Sequence, residues 1–311
     1  LFHGDALQVA ESLPSASVQT IVTSPPYFGL RDYGADGQMG AESSVHEYVA
    51  AMCGLFRELR RVLADDGTLW LNLGDSYSAG VSGTGGYSSK STLSGYTSEN
   101  TKHRQANEQP KRRIERAVPA KNLLGVPWRV AFALQEDGWI LRSDIIWAKP
   151  NPMPESVTDR PTKAHEYVFL FAKSPHYYYD AAAVAEPFAD ERMGASGAKA
   201  SKYIDGSSKR NDGGVTGAPK ADARNKRTVW NVATVPFAAG HFAVYPPDLI
   251  RPCILAGSRV GDTILDPFSG SGTTGMVATE EGRKYIGFDL NVEYLDLSLQ
   301  TRFRQPVLDF G

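Results

Sequence analysis

One stretch near the end of the chain, Leu265-Asp-Pro-Phe-Ser-Gly-Ser-Gly-Thr-Thr-Gly275, limits the possible folds more than any other. Thr263–Leu265 reads as a short strand and Thr273–Glu281 as a helix, so the stretch is a strand–turn–helix junction. Gly270, Gly272 and Gly275 satisfy G-x-G-x-x-G. Glycines at these places allow a tight turn and let a ligand approach the backbone at a helix N-terminus. Asp289 stands at the end of the next strand, Lys284–Phe288, where a carboxylate can accept from both hydroxyls of a ribose. The context predicts an adenosine-bearing cofactor; the competing reading is a Gly-rich turn beside a surface Asp. No Lys precedes Thr273 or Thr274, which disfavours a phosphate-cradling nucleotide loop. Asp266 would repel a dinucleotide pyrophosphate and suits the cationic amino and sulfonium groups of S-adenosylmethionine (SAM).

The rest of the chain alternates strands and helices. Val18–Thr23 reads as a buried strand ending at a Pro-Pro pair. Val45, Val49, Met52, Phe56, Leu59 and Leu63 recur at spacings of three and four, which predicts a helix over Val45–Leu63, stopped by Asp65-Asp66-Gly67. Thr68–Leu73, Trp139–Trp147 and Glu166–Phe171 read as strands. Pro127–Glu136, Pro247–Ala256 and Val292–Arg302 read as helices. Such alternation predicts an α/β sheet with helices on both faces and ligands beyond the carboxyl ends of the strands. The 311 residues suffice for a core, and two cysteines, Cys53 and Cys253, exclude a disulfide scaffold and a Cys-rich zinc module. No apolar run is long enough for a membrane span, and the first residues carry no signal-peptide pattern.

Thr23-Ser-Pro-Pro-Tyr27 directly follows the first of these strands. Pro25 and Pro26 lack N–H groups, so they stiffen the loop and leave carbonyls free to accept. Ser24 Oγ adds an acceptor, and Tyr27 offers a flat ring for stacking. Together they suit an amino group on a planar base. A rigid proline turn with a core tyrosine is the alternative.

The two motifs resemble those of the amino-group DNA methyltransferases, which methylate exocyclic nitrogens. Their order, Thr-Ser-Pro-Pro-Tyr at 23–27 before Asp-Pro-Phe-Ser-Gly-Ser-Gly-Thr at 266–273, resembles the permuted β group. His3-Gly-Asp5, Trp147-Ala-Lys-Pro-Asn-Pro152, Arg160 with His165-Glu166, His241–Pro246 and Gly287–Asn291 resemble further family segments. The resemblance implies a Rossmann-like, circularly permuted fold with a mixed, mostly parallel seven-stranded sheet. It implies Ser24, Pro25, Pro26 and Tyr27 as catalytic, and Asp5, Thr23, Asp266, Phe268, Ser269, Gly270, Ser271, Gly272, Thr273, Asp289 and Asn291 as the SAM site. The product would be S-adenosylhomocysteine, and no metal is expected. Family members acting on adenine N6 usually carry Asp or Asn where Ser24 stands, so Ser24 favours cytosine N4. His165, His241 and Asp75 are expected to be structural or pocket-lining rather than proton carriers.

Charge supports a nucleic-acid partner. The chain's net charge is −2, yet Gly80–Val126 carries +5 and Asp190–Trp230 carries +4. Both segments read either as solvated insertions or as arms that meet phosphate. The expected division is a catalytic domain of 1–79, 119–180 and 241–311, a flexible basic insertion at 80–118, and a target-recognition region at 181–240. Lys111, Arg112, Arg113, Lys226 and Arg227 are the expected DNA contacts. Tyr33 reads equally as a lid over a flipped base or as surface loop. The expected partner is duplex DNA in the cytoplasm, not a membrane, with room for a homodimer and a cognate restriction endonuclease. An RNA or protein methyltransferase, an NAD-linked oxidoreductase and a non-catalytic DNA binder are the rival functions.

Overall fold

A computed structural model describes residues 1–30, 37–78, 118–187, 215–216, 223–235 and 245–303. Tyr33, His241, Lys111, Arg112, Arg113 and almost all of the 80–118 insertion lie outside them. The strands are β1 (Phe2–His3), β2 (Val18–Thr23), β3 (Leu63–Leu73), β4 (Ile140–Ala148), β5 (His165–Ala172), β6 (Tyr179–Asp180), β7 (Glu186–Pro187), β8 (Val215–Thr216), β9 (Ala223–Arg224), β10 (Val229–Asn231), β11 (Thr263–Asp266) and β12 (Lys284–Asp289). The helices are α1 (Ala6–Ser12), α2 (Val45–Val62), α3 (Val126–Glu136), α4 (Pro247–Gly257), α5 (Thr273–Glu280) and α6 (Val292–Thr301).

The main sheet runs β1-β12-β11-β2-β3-β5-β4-β10. Only β5 is antiparallel to its neighbours β3 and β4; the other pairings are parallel. The sheet therefore has eight strands, not seven. Six of the eight were read from the sequence; the other two, β1 and β10 at the margins, are two and three residues long, too short for period-two alternation to mark them.

Apolar side chains cover both faces. On one, Ala10 of α1, Met52, Phe56 and Leu59 of α2 and Val130 and Leu134 of α3 pack with Leu69, Leu71 and Phe169. On the other, Leu249 and Ile254 of α4 and Val277 of α5 pack with Trp70, Trp147 and Trp230. Helix α2 shows how the sequence builds this. Ser44 caps it by accepting from Glu47 N, and its buried residues recur at helical spacing, with Tyr48, Met52, Phe56 and Leu59 inside. Truncating Phe56 to Ala would cost about 3–5 kcal/mol. The helix ends at Val62, and β3 begins at once at Leu63. Asp65-Asp66-Gly67 is therefore not a separating turn. Val18 pairs with Leu63 but Thr20 pairs with Thr68, so the residues between bulge out of the ladder. Among the described residues no helix is long and apolar enough to cross a membrane.

This topology places the motifs. β2 and β11 are adjacent and parallel, so the loops leaving their carboxyl ends emerge side by side. The antiparallel run of β5 brings its first residues, His165 and Glu166, to the same edge.

Candidate active site

The glycine loop folds as its sequence demands. Gly272 is left-handed at φ +78°, and a Cβ there would lie 2.8 Å from Ser298 Cβ. At Gly275 a Cβ would lie 2.5 Å from the Tyr285 ring, so glycine lets α5 settle onto β12. Asp289 accepts from Gly270 N (2.8 Å) and from Asn291 N (2.9 Å), and Asn291 caps α6 by accepting from Glu293 N. Burial holds the Asp289 carboxyl above its ordinary value, although these backbone donors oppose the shift. The β1–β12 pairing carries the chain's first residues here. His3 Nε2 donates to Leu290 O (3.1 Å), and Asp5 caps α1 by accepting from Leu7 N and Gln8 N.

Asp266 is 1% exposed and serves as a joint. Oδ1 accepts from Thr23 Oγ1 (2.7 Å) and Phe268 N (3.0 Å), and Oδ2 accepts from Thr274 Oγ1 (2.6 Å) and Tyr245 OH (3.0 Å). Tyr245 also contacts Thr274 Oγ1. Burial raises the Asp266 carboxyl, and these four donors oppose that rise. The joint thus ties the end of β2, the glycine loop, α5 and the segment before α4.

A cleft of about 430 Å³ opens beside this joint. Asp5, Phe268, Gly270, Ser271, Thr273, Asp289 and Asn291 line it, and so do Ser24 and Pro26. The two sequence motifs therefore share one cavity of a size suited to a cofactor. Thr23, Asp266, Ser269 and Gly272 are not among its lining residues. Their side chains or backbone shape the wall from behind: Thr23 and Asp266 pair with each other, and Ser269 Oγ accepts from Tyr285 OH (2.9 Å). Both Asp266 oxygens accept from chain donors, so the residue also builds the wall of the cleft. Tyr245 and Leu290, from the segments His241–Pro246 and Gly287–Asn291, line the cleft, and Met39, Glu42 and Tyr294 line it without having been expected. No motif marks these last three; only tertiary folding brings them there. The residues present fit an adenosine-bearing cofactor: an aromatic ring at Phe268, a carboxylate at Asp289 and backbone at the start of α5.

Beyond Ser24 lies a polar cluster. Ser24 Oγ donates to Tyr27 OH (3.3 Å), and Tyr27 OH donates to Glu166 Oε2 (2.8 Å). Asn72 Nδ2 lies 3.2 Å from Ser24 Oγ, 2.6 Å from Tyr27 OH and 3.1 Å from Glu166 Oε2. Lys149 pairs with Glu166 Oε1, and its Nζ lies 4.1 Å from the Trp147 ring centroid. Burial, then the Glu166 charge, push the Tyr27 phenol well above its ordinary value, so it stays a donor. A Cβ on Gly74 would lie 2.5 Å from Tyr27 Cε2, so glycine there lets the ring settle against the end of β3. Pro25 is buried. Pro26 O accepts from Tyr48 OH (2.9 Å), which pins the loop to α2.

The other expected residues fall elsewhere. Asp75 accepts from Gly125 N and Val126 N at the start of α3, and the His165 ring stacks edge-on against Tyr167, so both are structural in their contacts. Lys226 Nζ lies 5.0 Å from the Trp230 ring centroid and 3.8 Å from Glu186. Arg227 Nε pairs with the same carboxylate at 2.8 Å while its side chain stays 67% exposed.

The sequence profile of the DNA methylase family matches residues 18–300. The chain belongs to the DNA methylase family. The methylase is 48% identical over 299 residues to the type II methyltransferase M.Cfr9I of Citrobacter freundii, covering 96% of this chain and 86% of that protein. It is 45% identical over 302 residues to M.SmaI of Serratia marcescens, covering 97% and 90%. Its fold is shared with the PvuII DNA methyltransferase (cytosine-N4-specific), at TM-score 0.62 and 20% identity over 99% of this chain and 86% of that one. A second structure of the same fold is TTHA0409 of Thermus thermophilus, complexed with S-adenosyl-L-methionine, at TM-score 0.55 and 21% identity over 96% and 92%.

Proposed function

We propose that this DNA methylase transfers a methyl group from SAM to the exocyclic N4 of a flipped cytosine in duplex DNA. The observation that carries the proposal is the shared cleft: Ser24, at the head of the Ser-Pro-Pro-Tyr loop, opens into the cavity lined by Phe268, Gly270 and Asp289. A hydroxyl at that position, rather than a carboxylate or carboxamide, supports cytosine over adenine. One related structure's name points the same way, the cytosine-N4-specific PvuII methyltransferase, and the names of M.Cfr9I and M.SmaI, type II methyltransferases, support DNA methylation as such.

In this reading Asp289 accepts from the cofactor's ribose, Phe268 and Asp5 flank its adenine, and Gly270, Ser271, Thr273 and Asn291 supply the surrounding wall. SAM, when bound, supplies the methyl group on a sulfonium that leaves readily. The chain supplies position and electrostatics. The target amine is buried in a duplex, so the base must leave the stack to reach the cleft. Tyr27 stacks on it, and Ser24 Oγ and the Pro25 carbonyl accept its amine hydrogens. That geometry turns the nitrogen lone pair outward. No strong base is needed, because the amine becomes acidic only as its new bond forms. The 181–240 region reads the sequence, the 80–118 insertion and Arg227 meet phosphate, and a partner endonuclease of the same specificity completes a restriction–modification pair.

The test uses methyl-labelled SAM and unmethylated duplex DNA, digested to nucleosides and analysed by mass spectrometry. Label on N4-methylcytosine is expected. Label on N6-methyladenine would overturn the base assignment, and unlabelled DNA with SAM bound would overturn the substrate.

A further inference from the structure

We infer that Glu166 is a positioning residue that fixes the polarity of the Ser24 hydroxyl, so that the site presents a hydrogen-bond acceptor to the target and rejects a carbonyl. The inference rests on the proposed function above for its substrate, a base with an exocyclic amine, and adds how the site recognises that amine.

The argument is a count of donors and acceptors. An ionised carboxylate only accepts. Glu166 is held between Lys149 on one oxygen and Tyr27 on the other. Tyr27 has one hydroxyl hydrogen, and Glu166 takes it. The phenol oxygen can then only accept, and two donors lie within reach: Ser24 Oγ at 3.3 Å and Asn72 Nδ2 at 2.6 Å. The Asn72 orientation follows from the same carboxylate, since only the amide nitrogen can face Glu166 Oε2 at 3.1 Å. Ser24 therefore spends its single hydrogen on Tyr27. Asn72 has two N–H hydrogens for three acceptors, Glu166, Tyr27 and Ser24, so it fills at most one Ser24 lone pair. What remains for the cleft, which Ser24 lines, is at least one lone pair and no hydrogen. The direction of every bond in the chain Lys149–Glu166–Tyr27–Ser24 is thus set from its far end. Asn72 Oδ1 is buried and has no hydrogen-bond partner among the described residues, so it places no donor on this network.

An amine meets such a site with two hydrogens. A carbonyl oxygen at the same place meets lone pairs, and a buried site built for one hydrogen-bond sense discriminates strongly against the other. Replacing the carboxylate by an amide removes the constraint. Gln can donate to the Tyr27 oxygen, Tyr27 can then donate to Ser24, and Ser24 can turn its hydrogen to the cleft.

The experiment compares wild type, Glu166→Gln, Glu166→Asp and Tyr27→Phe. The substrate is the duplex in which labelling locates the methyl group, and its partner duplex carries uracil in place of the target cytosine (hypoxanthine for an adenine target). Turnover, SAM affinity and the ratio of affinities for the two duplexes are measured. Glu166→Gln is expected to lower kcat at least about tenfold, leave SAM affinity within about twofold, and reduce the amine-over-carbonyl ratio at least about tenfold. Glu166→Asp, which still only accepts, should recover part of that ratio. Tyr27→Phe keeps the ring but cuts the chain, so it should lose the ratio as Glu166→Gln does, and it decides the matter should Glu166→Gln fail to fold. An unchanged ratio in the folded variants overturns the inference while wild-type methylation still stands. Absence of wild-type methylation overturns the proposed function and this inference with it.

Discussion

Replacing Thr23 by Val tests the joint between the two motifs. Thr23 is 1% exposed, and its hydroxyl donates to Asp266 Oδ1 at 2.7 Å. Valine fills nearly the same volume, so the change removes a hydrogen bond without opening a cavity. A hydrogen bond to a charged group contributes about 1.5–3 kcal/mol. Oδ1 keeps Phe268 N, and Oδ2 keeps Thr274 and Tyr245, so the carboxylate is weakened rather than stranded. A loss of about 2 kcal/mol is expected, which for a chain of this length lowers Tm by about 3 °C. Thermal unfolding of the apo protein reads it, with Thr23→Ser as the control that restores the donor. A Tm for Thr23→Val within about 1 °C of wild type would refute the claim that this hydroxyl ties β2 to the glycine loop.

Four further outcomes are expected. Ser24→Ala and Tyr27→Ala should suppress methyl transfer while SAM titration stays near wild type; wild-type turnover in both would remove them from the catalytic site. Gly74→Ala should lower turnover by about a hundredfold, since the Tyr27 ring must shift to admit the methyl group. In the proposed site Asp289 binds ribose in its ionised form, and burial raises its pKa. SAM affinity should therefore begin to fall, as pH is lowered, at a higher pH than an ordinary carboxylate would give, by about tenfold per unit once below that pKa; titrations across the acid range check this, with Asp289→Asn weak and flat. Arg227→Ala should reduce the log–log salt slope of DNA binding by about 0.9, and Lys226→Ala should leave it unchanged, because both pair with Glu186 but Arg227 stays 67% exposed while Lys226 is 23% exposed against Trp230.

Local sequence carried the motifs well, because each is a contiguous loop whose chemistry is written in its own residues. Gly272, Asp289 and Ser24 fall where strand–turn–helix reasoning puts them. What it could not supply is the pairing of distant edges. Glu166 reaches Tyr27 only because β5 runs antiparallel to β3, and a strand's direction is not encoded in its own residues. The charge of Asp266 is visible in its own loop, but two of the four donors that hold it, Thr23 and Tyr245, come from outside the loop. β1 was missed because two residues show no period, and it matters because it carries Asp5 to the cleft. The break read at Asp65-Asp66-Gly67 is a bulge, a feature defined by β2 rather than by the bulged residues.

The bond between Thr23 and Asp266 spans 243 positions of chain. A ribosome adding about 5–20 residues per second needs roughly 12–50 s to travel that distance. For that interval the Ser-Pro-Pro-Tyr loop exists with no floor beneath it, since the strand that anchors Thr23 has not been made. A nascent methylase is therefore silent until its last strands emerge. Fragments from synthesis stalled before β11 lack that floor.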